Sequence, residues 1–294
     1  MIRNRVDLHV HTTASDGTCT PAEVIELAKK AGLTAIAITD HDTLSGAIEG
    51  VKLAKEMGFE VIDGVELSSD LNGADVHILG YLMSRYHVIQ GVLDELQNLR
   101  STRAERMVRK LNRLGVRISM EDVLRESKGD SIGRPHIAAA MVRKGIVPTT
   151  QYAFQYYIGD GRPAYIPKPK LTPIQAVELI LASGGVPVLA HPGLTGSDHI
   201  IDELVEHGLR GLEAFHPMHD ERQTRRYLEI AERKGLIVTG GSDFHGATKP
   251  DIWIGSVTVG YESVERLREE AKRVWNYTPN YDTIPVVWSV LEER

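Results

Sequence analysis

The chain has 294 residues, 42% hydrophobic and 25% charged, a composition that suits one large α/β domain with room for an insertion. Its net charge of -6 argues against a general nucleic-acid coat protein, and its single cysteine, Cys19, excludes an internal disulfide or a thiolate metal cage. No stretch approaches the ~18 apolar residues of a membrane span, and residues 1–5 lack the apolar run of a signal peptide, so a cytoplasmic location is expected.

Asp7-Leu8-His9-Val10-His11 reads as a short buried strand. Alternation predicts His9 and His11 on one face and Leu8 and Val10 on the other. Two imidazoles about 7 Å apart on such a face can bind one metal ion or two neighbouring ions. Thr20-Pro21-Ala22-Glu23 is a capping box with proline at the first helical position, opening a helix that ends near Gly32. Residues 34–39 form a continuous apolar strand of the kind buried on both faces, ending in Asp40-His41-Asp42. A helix over 45–57 follows, then a strand over 59–65 ending in Glu66, then a strand over 76–82 containing His77.

Helical patterns dominate from about 88 to 167, over roughly 88–114, 119–127, 135–144 and 149–158. They predict a small helical domain, 88–167, inserted into one loop of a domain built from 1–87 and 168–294. Residues 97–125 carry eight Lys/Arg against three Asp/Glu, a basic island in an acidic protein. The first insert helix is apolar at Leu96, Leu99, Met107, Leu111 and Leu114. Arg103 shares that face, either as a snorkelling side chain or aimed at a ligand. Gly133-Arg134-Pro135-His136 places two cationic or donor groups at a helix N-terminus, a favourable anion site.

Strand and helix alternate again after Thr172-Pro173-Ile174-Gln175, a second helix start of the same type. Strands over 186–190, 211–215 and 236–239 lead to His191-Pro192, to His216 and to Ser242-Asp243-Phe244-His245, and a last helix covers 262–274. The tail from 275, with Pro279, Pro285 and Trp288, reads as an extended wrap with a short helix. Six or seven β-α units imply a parallel barrel or an open parallel sheet. Polar residues after so many strands favour the barrel, whose loops converge on one rim.

Those residues are His9, His11, Asp16, His41, Glu66, His77, His191, Asp243 and His245. Nine nitrogen and oxygen donors exceed what one ion can use and imply two or three ions sharing carboxylates. Three divalent ions, set against three carboxylates and a hydroxide, leave a positive charge that suits a phosphate dianion. A donor set rich in imidazole and free of sulfur points to manganese, with iron or zinc as alternatives.

The motifs at 7–11, 39–42 (Thr-Asp-His-Asp) and 242–245, with Glu66, His77 and His191-Pro192, resemble those of the PHP (polymerase and histidinol phosphatase) superfamily. The resemblance covers most of the chain. It implies a distorted (β/α)7 barrel and a phosphoesterase with two or three metals. It suggests His9, His11, Glu66 and Asp243 around one ion, Glu66, His77 and His191 around a second, and Asp16, His41 and His245 around a third. The insertion is similar to the branch that dephosphorylates nucleoside 3',5'-bisphosphates and 5'-mononucleotides such as AMP and trims short RNA from its 5' end. In that branch the insert holds substrate phosphates, a role that falls here to Arg100, Arg103, Arg134 and His136. The partner expected is thus a small phosphorylated substrate or a short RNA end, with no membrane and no stable nucleic-acid complex.

The expected chemistry is attack by a hydroxide bridging the metals, which also take up charge on the phosphoryl oxygens. His216 is a possible acid for the leaving oxygen, or else a residue that backs a ligand or contacts the substrate. Asp7, Asp40 and Asp42 either orient ligating imidazoles or cap turns. Lys168 reads as a solvated loop residue or a phosphate contact, His87, His199, His207 and His219 as surface residues, and Cys19 as inert. Two other readings stand beside this one: a histidinol-phosphate phosphatase, and a non-catalytic metal- or nucleotide-binding module.

Overall fold

The computed structural model describes residues 4–126, 132–167, 170–196 and 198–275, and only the backbone of residues 97 and 99–101. The expected tail wrap and Lys168 lie outside the described residues. Two compact units emerge: Met1–Leu93 with Leu171–Arg294, and Asp94–Lys170.

The first unit is a nearly closed mixed sheet of eight strands among the described residues: β1 (Arg5–Val10), β2 (Ala35–Ile38), β3 (Glu60–Leu71), β4 (Ala74–Tyr81), β5 (Val186–Leu189), β6 (Gly211–Phe215), β7 (Ile237–Gly240) and β8 (Val259–Gly260). Their order is β7-β6-β5-β4-β3-β2-β1-β8. Past β7, residues 243–244 bond to the end of β1 beyond the two residues that β8 pairs. The Asp243 N–H donates to the His9 carbonyl and the His11 N–H to that of Phe244, each at 2.9 Å. Side chains from strands far apart in the sheet order, Val6 and Leu8 of β1, Leu79 of β4 and Ile237 of β7, share one buried core, as a barrel interior requires.

The helices of this unit are α1 (Pro21–Lys30), α2 (Ser45–Met57), the first turns of α3 (Tyr86–Arg113), α7 (Pro173–Ala182), α8 (Pro192–Thr195), α9 (Ile201–Glu206), α10 (Glu221–Lys234) and α11 (Glu262–Trp275). Both expected capping boxes, Thr20/Glu23 and Thr172/Gln175, are formed. No helix of the described residues is long and apolar enough to cross a membrane.

Three expectations change. First, β4 is antiparallel to both β3 and β5. Only Asn72 and Gly73 link β3 to β4, both at positive φ, and a two-residue link closes a hairpin whereas a parallel crossover needs a dozen residues or more. Second, β3 does not end at Glu66 but runs on to Leu71, so Glu66 sits mid-strand. Third, Leu8 and Val10 do not share a face. The register of β1 on β2 shifts between Asp7 and Val10, and Val10 packs with Val24, Ile36 and Ile38 in a separate core under the helices. Such a shift re-aims the side chains that follow it.

The second unit contains the rest of α3, α4 (Met120–Leu124), α5 (Arg134–Arg143), α6 (Thr150–Ala153) and a π-helical turn over Phe154–Ile158. Met107, Leu111, Val123, Ile137, Met141 and Ile158 meet in its own core. Leu114, expected on that apolar face, is 49% exposed because α3 ends at Arg113 and the chain turns away at Gly115.

Candidate metal centre

Glu66 is the hub. It lies on the face of the β3/β4 hairpin that also carries His77. Its Oε1 is 2.8 Å from His77 Nδ1 and 2.9 Å from His191 Nε2. Its Oε2 is 3.2 Å from His9 Nε2, 3.1 Å from His11 Nε2 and 3.2 Å from His41 Nδ1. Five imidazoles from four strands and their loops thus divide between the two oxygens of one buried carboxylate. The His9 and His11 Nε2 atoms are 3.1 Å apart, so the β1 pair converges far more closely than a regular strand predicts.

Asp243 adds a second buried carboxylate, with Oδ1 3.6 Å from His9 Nε2 and 3.4 Å from His11 Nε2. At the rim, Asp16 Oδ1 is 3.2 Å from His245 Nε2, and its Oδ2 is 3.9 Å from His41 Nε2. Among the described residues, three groups have ligand atoms mutually within 4.8 Å: His9, His11, Glu66 and Asp243; His11, Asp16, His41 and His245; and His41, Glu66 and His77. The first repeats an expected group, the second adds His11 to one, and the third has His41 where His191 was expected. His191 stays close through its contact with Glu66 Oε1.

Two of these residues sit on backbone that L-residues rarely adopt: His191 at φ 24° and Asp243 at φ 53°. Each such conformation costs about 1–3 kcal/mol and persists where neighbours hold it. The His191 N–H donates to Glu213 Oε2 at 2.8 Å, and the Asp243 N–H to the His9 carbonyl.

Glu213 is a residue the sequence reading did not select. It is fully buried on β6, and its Oε1 is 3.0 Å from His9 Nδ1. That bond keeps the proton of a neutral His9 on Nδ1, donated to the Glu213 carboxylate, and turns the Nε2 lone pair toward the cluster. The sequence signal is weak: a glutamate inside an apolar strand, two residues before its end, which by itself does not say what the carboxylate meets. His219 was expected at the surface. Instead its Nδ1–H donates to the Ala214 carbonyl at 3.0 Å and its Nε2 accepts the Gly193 N–H at 3.1 Å, clamping the loops after β5 and β6. His87, His199 and His207 are exposed, and Cys19 is half-buried.

His216 is buried, and its Nδ1 accepts the Met218 N–H at 3.2 Å. The proton of the neutral ring is therefore on Nε2, 3.4 Å from Asp243 Oδ2. Burial lowers its pKa, outweighing Asp243 and Glu213. Both ring nitrogens thus have partners, and His216 braces Asp243. Asp7 accepts from the backbone of His9, Ser242 and Gly255, and Asp40 from Thr12 and Ser15, so among the described residues these two brace loops rather than rings. Asp42 accepts the Ser68 N–H.

The donor set fits cations. Burial alone would push the Glu66 and Asp243 carboxyls up, yet the surrounding imidazoles, His9 foremost, hold both well below the usual range. Burial should likewise lower His9, yet Glu213, Glu66 and Asp243 raise it well above its usual value. These are the mutual shifts of buried carboxylates and imidazoles packed together, and carboxylates held ionised beside imidazole nitrogens are a donor set that cations bind. Among the described residues, buried His11 Nδ1 and His191 Nδ1 have no hydrogen-bond partner, as expected of nitrogens that serve something other than a protein group.

Gly241 gives this packing a direct test. A Cβ there would lie 2.4 Å from the His9 N and 2.5 Å from the His9 Cβ. Gly241→Ala should destabilise the protein by about 1–3 kcal/mol by overpacking and weaken metal binding by displacing His9. Thermal unfolding with and without manganese reads both effects. Unchanged midpoints in both conditions would refute the close packing of this edge on β1.

In the second unit, Arg103 Nε donates to the Ile166 carbonyl at 2.7 Å. Its guanidinium lies 5.9 Å from the Tyr165 ring centre, and that of Arg134 lies 5.4 Å from the same ring and 5.7 Å from that of Phe154. Arg134 also donates to the exposed Asp160 carboxylate at 3.0 Å. Burial, and then the Arg134 charge, lower the Arg103 pKa. His136 Nδ1 accepts the Gly133 N–H at 3.0 Å, which caps α5 and leaves Nε2 for a ligand. The Arg100 side chain lies outside the described residues.

Comparison with known proteins gives concordant matches. The PHP domain profile matches residues 7–131. A 5'-3' exoribonuclease of Haemophilus influenzae is 32% identical over 247 residues, spanning 82% of this chain and 90% of its own length. A 3',5'-nucleoside bisphosphate phosphatase of Chromobacterium violaceum is 30% identical over 247 residues, spanning 82% of this chain and 87% of its own. A crystal structure from Bifidobacterium adolescentis, assigned as a metal-dependent phosphoesterase, superposes with a TM-score of 0.67 at 34% identity, covering 91% of this chain and 96% of that one.

Proposed function

The chain belongs to the PHP domain family and is a phosphoesterase, and on that premise we propose that it hydrolyses phosphate from nucleotides: nucleoside 3',5'-bisphosphates, 5'-mononucleotides such as AMP, and the 5'-phosphorylated ends of short RNA. The observation that carries this reading is the division of five imidazoles between the two oxygens of Glu66, with Asp243 and Asp16 beside them. Such a set suits two or three divalent ions that share a carboxylate, manganese being the best match to its imidazole-rich, sulfur-free donors.

We assign His9, His11, Asp16, His41, Glu66, His77, His191, Asp243 and His245 as the metal ligands. When bound, the ions supply a water acidic enough to attack at neutral pH and positive charge for the phosphoryl oxygens. The chain's own groups do the rest. Glu213 holds the His9 tautomer and the strained His191 backbone. His216 steadies Asp243.

Arg103 and Arg134 are assigned to a substrate phosphate. Two guanidiniums flank one tyrosine ring, with a single exposed carboxylate, Asp160, on Arg134. An anion lying along them relieves their mutual repulsion.

Incubating the manganese-loaded protein with adenosine 3',5'-bisphosphate, AMP, histidinol phosphate and a short 5'-phosphorylated RNA tests the reading. Release of phosphate or nucleotide from the three nucleotide substrates is expected. Turnover of histidinol phosphate alone overturns the substrate class, and inertness toward all four favours a binding module. Arg134→Ala should raise KM about tenfold or more for the bisphosphate while metal content stays whole. Loss of metal from that variant would show the role to be wrongly placed.

A further inference from the structure

We propose that Lys249 is a further substrate-contacting residue that binds an oxygen of the phosphoryl group undergoing hydrolysis; the inference rests on the phosphoesterase reading above and extends it to a residue outside the ligand set. Lys249 follows the short turn Gly246–Thr248, which comes directly after His245. That turn is pinned to the loop that bears Asp16: the Ala247 N–H donates to Thr18 Oγ1 at 2.8 Å, and the Thr248 hydroxyl to the Asp16 carbonyl at 3.3 Å. The Lys249 N–H closes the turn onto the Gly246 carbonyl at 3.1 Å. The lysine is therefore carried by the same backbone that sets two of the proposed ligands.

Its Nζ donates to Asp243 Oδ2 at 2.6 Å, while Asp243 Oδ1 faces His9, His11 and His245. Asp243 thus turns one oxygen toward the cluster and the other toward Lys249. The Lys249 side chain is 37% exposed whereas that of Asp243 is 9% exposed, so the ammonium stands on the open side of the carboxylate. An ammonium has three donors, and Asp243 takes one. If Lys249 served only to neutralise Asp243, it would be redundant once cations share that carboxylate. What remains, among the described residues, is a fixed positive charge beside the cluster with N–H groups that Asp243 does not take. A phosphoryl dianion is the ligand class that uses both properties. Lysine suits the place because a compact ammonium reaches a single oxygen where a planar fork would need two.

The test uses the manganese-loaded full chain as wild type, Lys249→Met and Lys249→Arg. Metal content is read by elemental analysis, inorganic phosphate binding by calorimetry, and kcat and KM with AMP. Both variants should keep the wild-type metal content. Lys249→Met should bind phosphate about 10- to 100-fold more weakly, the range for loss of one charge-assisted hydrogen bond, with KM rising in step. Lys249→Arg should recover most of that affinity. Loss of metal from Lys249→Met would overturn the proposal and make Lys249 a positioning residue for Asp243. Unchanged phosphate affinity at full metal content would overturn it too. Wild-type protein that neither binds phosphate nor hydrolyses any phosphoester would instead sink the phosphoesterase reading itself, an outcome distinct from an active wild type with an indifferent Lys249→Met variant.

Discussion

Glu66→Gln is expected to leave a folded protein that has lost bound metal and nearly all turnover. The substitution keeps the size of the side chain and removes its charge. In place of one oxygen it puts an amide NH2, which can only donate. Glu66 is 1% exposed and faces five imidazoles at 2.8–3.2 Å, so neither water nor another carboxylate can replace the lost charge without rearrangement. Breaking a buried charge pair costs about 3–5 kcal/mol, or about two to four orders of magnitude in an equilibrium constant. Since one oxygen faces His77 and His191 and the other faces His9, His11 and His41, more than one ion should be affected together. Elemental analysis, turnover and far-UV circular dichroism on the same sample decide the matter. Full metal occupancy in a folded Glu66→Gln protein would remove Glu66 from its assigned role.

Glu213→Gln should weaken metal binding or turnover by about 10–100-fold, although Glu213 belongs to none of the groups with converging ligand atoms. Its two oxygens accept from two donors, the His9 ring at 3.0 Å and the His191 backbone N–H at 2.8 Å. A glutamine offers one acceptor, so one of these donors must face an amide NH2 in a fully buried place. If the His9 ring loses its partner, its tautomer is no longer fixed. If the His191 N–H loses it, the backbone at φ 24° loses a restraint. Either route loosens a ligand without removing one. The expected signature is weaker metal affinity that excess manganese partly restores, with a modest fall in thermal midpoint. Wild-type affinity in Glu213→Gln would show that neither bond matters to the centre.

The two residues differ in how far they could be read in advance. Glu66 stands where an apolar strand meets a polar residue, a pattern visible along the chain. Glu213 also follows apolar residues in a strand, but nothing local distinguishes a carboxylate that touches two histidines from one that faces a helix. Its partners lie 204 and 22 residues away. Lys249 was hidden for the same reason: a lysine in a polar loop after a strand reads as solvated until Asp243 is placed beside it. The β3/β4 hairpin was different, because Asn72-Gly73 is a strong local turn signal that the expectation of a uniform parallel barrel overrode.

Local chemistry along the chain was enough to determine the helix starts at Thr20 and Thr172, the apolar strands, the helical insertion and the candidate ligands. Each depends on hydrogen bonds or burial within a few residues, or on residue type at the end of a strand. Tertiary structure alone decided the rest. It set how Glu66 divides its oxygens, which carboxylates brace backbone and which meet imidazoles, and the break in alternation that separates Leu8 from Val10. These outcomes depend on distances of a few ångströms between groups far apart in the chain, and such distances come into being only when the strands close into a barrel and burial forces each polar atom to find a partner.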